Sequence, residues 1–275
     1  MKRSLPVFGL LIVLFATTLF GQEMQYPLDV LEVDEKTAYV ADRNLPGVWK
    51  ITAGKPEIYF QGSKKFRTPL NAIRCLALDE KGQLLAGDSS TREIYRFDDQ
   101  GKPVPLTDGG IGIPMAMAVA KSGDIYVADL ELHRIWKVPS AGGKPEEVAV
   151  LPAPRGMTID STGKLWIVSH GPNHVLKLNP ADGKVETVVE GMPFQFGHDI
   201  VLKDDKTAFV VDGYAKTVWK IVEGEKPVEF AKGEPFKNPV GLSLAEQGLL
   251  VADPHKKTIY RVSDEGEISV YAPAE

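Results

Sequence analysis

"IYVAD", Ile125 to Asp129, is an alternating run of β-branched, aromatic and small residues closed by an acid, and it returns as "LLVAD" at Leu249 to Asp253. A third version, "LWIVSH" at Leu165 to His170, keeps the run and changes its end. Working outward, each run is followed by a short loop and another strand-like stretch: "VWKI" from Val48, "IYRF" from Ile94, "IWKV" from Ile135, "VLKL" from Val175, "VWKI" from Val218 and "IYRV" from Ile259. Ahead of most runs stands a "D-x-x-G" type turn, preceded by a further alternating segment. Aligned on the end of the second run, the unit falls on Asp42, Asp88, Asp129, His170, Asp212 and Asp253, at intervals of 46, 41, 41, 42 and 41 residues.

Alternation with β-branched and aromatic residues is strand chemistry, and no segment after the first 21 residues holds a helical period. A fourth, weaker strand follows in most copies, as in "EIYF" from Glu57 and "EISVY" from Glu267. Short strands repeated every 41 to 46 residues predict an all-β, six-bladed β-propeller of four-stranded antiparallel blades, at about 26–60, 71–106, 113–150, 153–189, 196–230 and 238–271. A β-sandwich would not repeat its sequence, and an open array would leave strand edges that a closed ring removes. Copy one begins with its innermost strand and copy six ends with its outermost, so the ring is expected to close by packing of blade one on blade six.

The chain opens "MKRSLPVFGLLIVLFATTLFGQE": two cations, an uncharged apolar run from Leu5 to Phe20, then polar sequence. This pattern predicts a signal peptide over residues 1–21, with small residues at Thr18 and Gly21, and a periplasmic or secreted protein. A retained anchor is the rival, although the run is short for a bilayer span of about 20 apolar residues. No Cys follows the leader, so lipid attachment is not implied, and nothing later reads as a membrane span. Removal of the leader leaves 254 residues and takes the net charge from −5 to −7. That balance, with basic residues scattered singly, argues against a nucleic-acid partner. The single cysteine, Cys75 in "RCLALD", cannot form an intramolecular disulfide and reads as a small buried residue.

"PRGMTIDSTGKLWIV", Pro154 to Val168, and "IPMAMAVAKSGDIYVADLELHRIWKV", Ile113 to Val138, resemble NHL repeats and the blades of the gluconolactonase, or senescence-marker-protein, family of six-bladed propellers. The resemblance spans all six copies. It implies the fold and, where the family is enzymatic, a metal-dependent lactonase whose cation is held at the channel mouth by Glu, Asn and Asp ahead of innermost strands. Carried over by position, those contexts fall on Arg74, Met115 and Arg155, of which none is an oxygen ligand and two are cations. Asp29 in "YPLDVL" and Asp199 in "FGHDIV" remain as acids at matching positions, with His198 beside the second. A hard divalent cation needs about six oxygen ligands, so a calcium or zinc cofactor becomes the alternative expectation and no cofactor the first.

In a four-stranded meander the start of the first strand and the loop between strands two and three share one face of the ring. Arg74, Arg155, His198 and Asp199 therefore share a face with His170. The loops entering the first strands carry Phe66, Phe194, Phe196 and Phe236, the longest being "GSKKFRTPLNAIR" from Gly62. Arg74, Arg155, His198, Asp199, His170, Phe194 and Phe196 are accordingly the expected ligand-binding residues at the channel mouth. Two arginines, a histidine and an aromatic rim suit a small anion or a carboxylate, because Arg binds carboxylate bidentately. The same arginines could instead pair with Asp199 or neighbouring acids and merely stitch blades together.

His133 and His174 sit before third strands, where NHL-type units often place His, and read as repeat grammar. His170, His198 and His255 share one face and raise a zinc site of the kind found in amidating-lyase relatives of NHL propellers, in which all three nitrogens would reach one ion. The repeated aspartates read as turn residues, since Asp accepts hydrogen bonds from nearby backbone N–H groups. "DGGIGIP" from Asp108 leads into a strand and reads as a loop, not a phosphate cradle. The expectation is an exported binding or interaction module for a small anionic molecule or a protein surface, with a metal-dependent lactone hydrolase as the alternative and a zinc lyase behind it.

Overall fold

The computed structural model describes residues 23–273, which form 24 strands and no helix. The expected leader lies outside the described residues. The strands make six sheets of four, each an antiparallel meander in strict chain order. The innermost strands are Pro27–Asp34, Ile73–Leu78, Pro114–Val119, Pro154–Ile159, Gly197–Leu202 and Gly241–Ala245. No helix in the described residues is long and apolar enough to cross a membrane.

Each blade packs against a neighbour on both faces, so second strands such as Leu84–Asp88, Ile125–Asp129 and Leu165–Ser169 are buried along their whole length, and no single central core forms. The apolar residues form six clusters, each shared between neighbouring blades. The axis is left as a channel. Ring closure is of the expected kind: blades one and six each supply all four of their own strands, and they meet by packing. Val30, Val40 and Trp49 of blade one share a cluster with Leu250, Ala252 and Ile259 of blade six. Polar contacts cross the same seam. The Glu32 amide donates to Ser243 Oγ at 3.1 Å, the Glu246 amide donates to Glu32 Oε2 at 2.7 Å, and Arg261 pairs with Glu32 at 3.4 Å.

The turn aspartates act as caps. Asp129 is fully buried and accepts from the backbone N–H of Gly112 (2.8 Å), Ile113 (3.0 Å), Glu131 (3.0 Å) and Leu132 (3.1 Å), and from Trp136 Nε1 (2.9 Å). Asp42 does the same for Gln25, Tyr26, Asn44, Leu45 and Trp49. One carboxylate thus ties the chain entering the innermost strand to the loop leaving the second, which satisfies amides that would otherwise be buried without partners.

Strand register corrects the alignment at "LWIVSH". The second strand of blade four is Leu165–Ser169, and Ser169 pairs with Pro154 just as Asp129 pairs with Pro114 and Asp42 with Pro27. Ser169, not His170, occupies the aspartate position. Its hydroxyl donates to Pro152 O at 2.6 Å and accepts from the Gly171 amide at 3.0 Å, a reduced version of the same cap. Blade four can manage with less because its third strand has Leu176 where blades one and three have Trp49 and Trp136, so there is no indole N–H to hold. His170 is the residue after the strand, equivalent to Arg43, Ser89, Leu130, Gly213 and Pro254.

Candidate functional site

Each of the first five innermost strands slips register one or two residues after its start. Pro27 pairs with Asp42 but Asp29 with Ala41, Ile73 with Asp88 but Cys75 with Gly87, Pro114 with Asp129 but Ala116 with Ala128, and Gly197 with Asp212 but Asp199 with Val211. In blade four the slip runs from Pro154 to Met157. The residues left unpaired are Leu28, Arg74, Met115, Arg155 with Gly156, and His198. A β-bulge re-aims the side chain it carries. Here Leu28, Arg74, Met115, Arg155 and His198 all line one cavity of about 180 Å³ at the channel mouth.

Asp29 and Asp199 stand one step down the channel and line both the mouth and the larger space of about 400 Å³ beneath it. Their backbone roles are matched. Asp29 accepts from the Leu76 amide of the next blade at 2.7 Å, and Asp199 from the Leu242 amide of its next blade at 3.0 Å. Gly156 makes this closeness workable, since a Cβ there would lie 2.4 Å from Asp199 Cα.

The arginines are the distinctive feature. Of the arginines within the described residues, Arg92, Arg96, Arg134 and Arg261 each pair with a carboxylate. Arg43, Arg67, Arg74 and Arg155 do not, and three of these four line the mouth. Arg74 Nε donates to the neutral Ser89 Oγ at 3.2 Å. The Arg155 guanidinium lies 4.5 Å from the centroid of the Phe196 ring, and its buried Nε has no hydrogen-bond partner. Both are thus held in place without being neutralised. The stitching alternative is not what is seen, because neither arginine is ion-paired with Asp199. Burial lowers the pKa of each, and the neighbouring guanidinium, Arg43 for Arg74 and Arg74 for Arg155, lowers it further.

His198 is kept neutral. Burial first, then Arg155 and His170, bring it down to about 3, and its Nε2 has no partner. Gly213 leaves room for that nitrogen, since a Cβ there would sit 3.0 Å from it. The carboxyls are pushed the other way. Burial raises Asp199 to about 7, and burial together with the charge of Asp199 raises Asp29 well above the carboxylate range. Burial, then the two acids, also raises the Cys75 thiol, which is buried and donates to Pro114 O at 3.5 Å.

The expected aromatic rim is only partly where sequence put it. Phe196 does not line the cavity itself but backs it, lying under Arg155 and among His170 (4.4 Å, edge-on), His198 (4.8 Å) and Tyr214 (4.8 Å, stacked). Phe194 is buried between blades four and five and stacks on His174. Phe236 is fully buried between blades five and six, and Phe66 is 79% exposed on the long insertion. His170 does not line the cavity. Its Nε2 lies 2.7 Å from Gly197 O, so it supports the start of blade five and the Phe196 ring. His255 packs near Tyr26 at 6.1 Å. His133 is a left-handed residue at φ 56°, in series with Arg92, Lys216 and Lys257, whereas His174 instead accepts the Phe194 amide through Nδ1.

Sequence reasoning missed Arg43, Tyr214 and Asn238. Arg43 was findable, because it follows Asp42 directly and so lies in a loop between second and third strands, on the face already singled out.

The residues present do not suit a divalent cation. Asp29 and Asp199 already accept two backbone N–H bonds each, and the other bulge positions supply Arg74, Met115 and Arg155 in place of oxygen ligands. Among the described residues no three His, Cys, Asp or Glu side chains converge as metal ligands.

No family model and no curated protein sequence matches the chain. Solved structures do match it. A virginiamycin B lyase from Staphylococcus aureus aligns with a TM-score of 0.69 at 19% identity, covering 91% of this chain and 85% of that one. A nidogen/laminin complex gives 0.69 at 14%, covering 89% and 93%, and a gluconolactonase from Xanthomonas campestris gives 0.69 at 14%, covering 84% and 85%. The fold is a six-bladed β-propeller. At these identities the likeness is one of fold, and the neighbours include two enzymes and a protein complex, so function rests on the site itself.

Proposed function

We propose that this is an exported propeller whose channel mouth binds a small carboxylate-bearing ligand. One observation carries the reading: Arg43, Arg74 and Arg155 line one cavity with no carboxylate partner, while the remaining arginines of the described residues outside the long insertion are ion-paired. Arg74 and Arg155 are half-buried beside the exposed Arg43, and holding like charges close in a partly dry mouth is costly unless an anion completes the site. A carboxylate accepting hydrogen bonds from two guanidinium groups would do so, and the face of Phe196 already orients one of them. The raised pKa values of Asp29 and Asp199 support the same reading, since below about pH 7 the floor carries less negative charge to repel an anion.

Arg155→Ala is expected to weaken carboxylate binding roughly 10- to 100-fold, the worth of about 1.5–3 kcal/mol for hydrogen bonds to a charged group. Titration of wild type and variant with acetate and a dicarboxylate checks this, and equal affinities would sink the proposal. The rival reading, a metal-dependent lactone hydrolase, has the gluconolactonase fold likeness behind it. Stoichiometric calcium or zinc in the purified protein, with lactone turnover lost to chelator, would favour that reading over ours.

A further inference from the structure

Resting on that reading, we infer that the carboxylate is only the head of the ligand, and that a tail bearing hydroxyl or amide groups lies in a second compartment above blade one. The mouth is too small to be the whole site: about 180 Å³ against the roughly 300–1,000 Å³ usual for small-molecule pockets. Arg43 is a wall shared with a groove of about 620 Å³, so the two spaces adjoin through an unpaired cation. The other direction, down the channel, leads past Asp29 and Asp199 into a space that mixes Val30 and Met117 with Glu32, Thr158 and Ser243, so what favours the groove is its contact with the cation Arg43 and its row of amides.

The groove is lined by Gln25, Asn44, Gln61, Lys64 and Asn71. Three of its amides are already committed in the same sense. Gln25 Nε2 donates to Glu23 O at 2.7 Å, Gln61 Nε2 to Leu45 O at 3.2 Å, and Asn71 Nδ2 to Ser63 O at 2.8 Å. Each NH₂ keeps its second N–H and each amide offers its carbonyl oxygen, while Arg43 and Lys64 add charged donors, so this wall both donates and accepts hydrogen bonds. A tail bearing hydroxyl or amide groups, which do both, is the complement.

The long insertion is built to hold that wall. Thr68 Oγ1 lies within hydrogen-bond reach of Ser63 O (2.9 Å) and Lys65 O (2.7 Å), donating its one hydrogen between them, the Gly62 amide donates to Pro46 O at 2.9 Å, and Leu70 is fully buried as an anchor. Ordering such a loop costs conformational entropy that a mere connection would not need.

Two small-molecule sources share this chemistry: a polyhydroxylated carboxylic acid and a short peptide with a free C-terminus. Calorimetric titration of the purified protein with acetate, a six-carbon polyhydroxy acid, a tetrapeptide and its C-terminally amidated form separates them. At least one tailed carboxylate is expected to bind ten-fold or more tightly than acetate, and the amidated peptide to lose that affinity. In the double variant Asn44→Ala/Gln61→Ala the tailed ligand is expected to fall to the level of acetate, while acetate binds as to wild type, which also reports that the variant is folded. If neither tailed acid exceeds acetate, or if the advantage survives the double variant, the groove inference fails and the anion mouth stands. Absence of all binding, acetate included, would overturn the mouth itself.

Discussion

Asp129→Ala is expected to destabilise the protein by about 3–5 kcal/mol, while Ser169→Ala at the equivalent position of blade four costs about 1 kcal/mol. The reason lies in what each side chain satisfies. Asp129 is fully buried and receives four backbone N–H groups and the Trp136 indole. Truncation orphans these donors, and a buried unsatisfied group costs roughly 1–3 kcal/mol, with the total held down because water and local movement recover part of it. Ser169 serves only the Gly171 amide and Pro152 O. For a chain of this length 1 kcal/mol moves Tm by roughly 2–4 °C, so thermal denaturation should place the two variants about 10 °C apart. Equal losses would show that the aspartates are decoration and that packing alone sets the blade.

The second large effect is on the pH dependence of stability. In the unfolded chain both channel carboxyls titrate near 3.8, whereas in the folded one Asp199 rises to about 7 and Asp29 rises in the same direction. Between those values the folded state binds more protons than the unfolded state, so this pair makes stability fall as pH rises from about 4 to about 7. For Asp199 alone the upper bound is on the order of 4 kcal/mol, at 1.36 kcal/mol per pKa unit. His198 acts oppositely. Its folded value of about 3 lies below the usual 6.5, so its contribution increases with pH over that interval and is complete above it. A comparison that holds the histidines constant isolates the acids. The stability of wild type relative to Asp29→Asn/Asp199→Asn should drop by several kcal/mol between pH 5 and pH 8, measured by urea denaturation. A pH-independent difference would mean that both carboxyls are ionised throughout. The same ionisation puts negative charge beneath the arginines, so carboxylate affinity should weaken over the upper half of that range.

Much of the site could be read from the chain, and the errors are instructive. Arg74, Arg155 and His198 were placed together because strand starts of different blades must meet at one end of the ring. Their projection into the mouth, however, comes from bulges, and a bulge is a register slip between two strands that letters alone do not mark. The same blindness put His170 one place too early, on the aspartate position that Ser169 fills. Phe194 and Phe196 differ by two residues and by their entire environment, one in the core between blades and the other under Arg155, because the loop that carries them turns between.

What the sequence determined by itself is the repeat, and through it the strands, the number of blades and the face on which functional residues gather. A periodic pattern of local preferences suffices for that, since each unit must bury its apolar face against the next. What only the tertiary structure decided is which charges meet and which find partners. Arg261 and Arg155 look alike in the chain, each a lone cation beside apolar neighbours. One reaches Glu32 across the closing seam and is neutralised, while the other lies over an aromatic ring and makes no ion pair with the acids of the channel. Pairing depends on distances between residues far apart in sequence, and those exist only once the ring is closed.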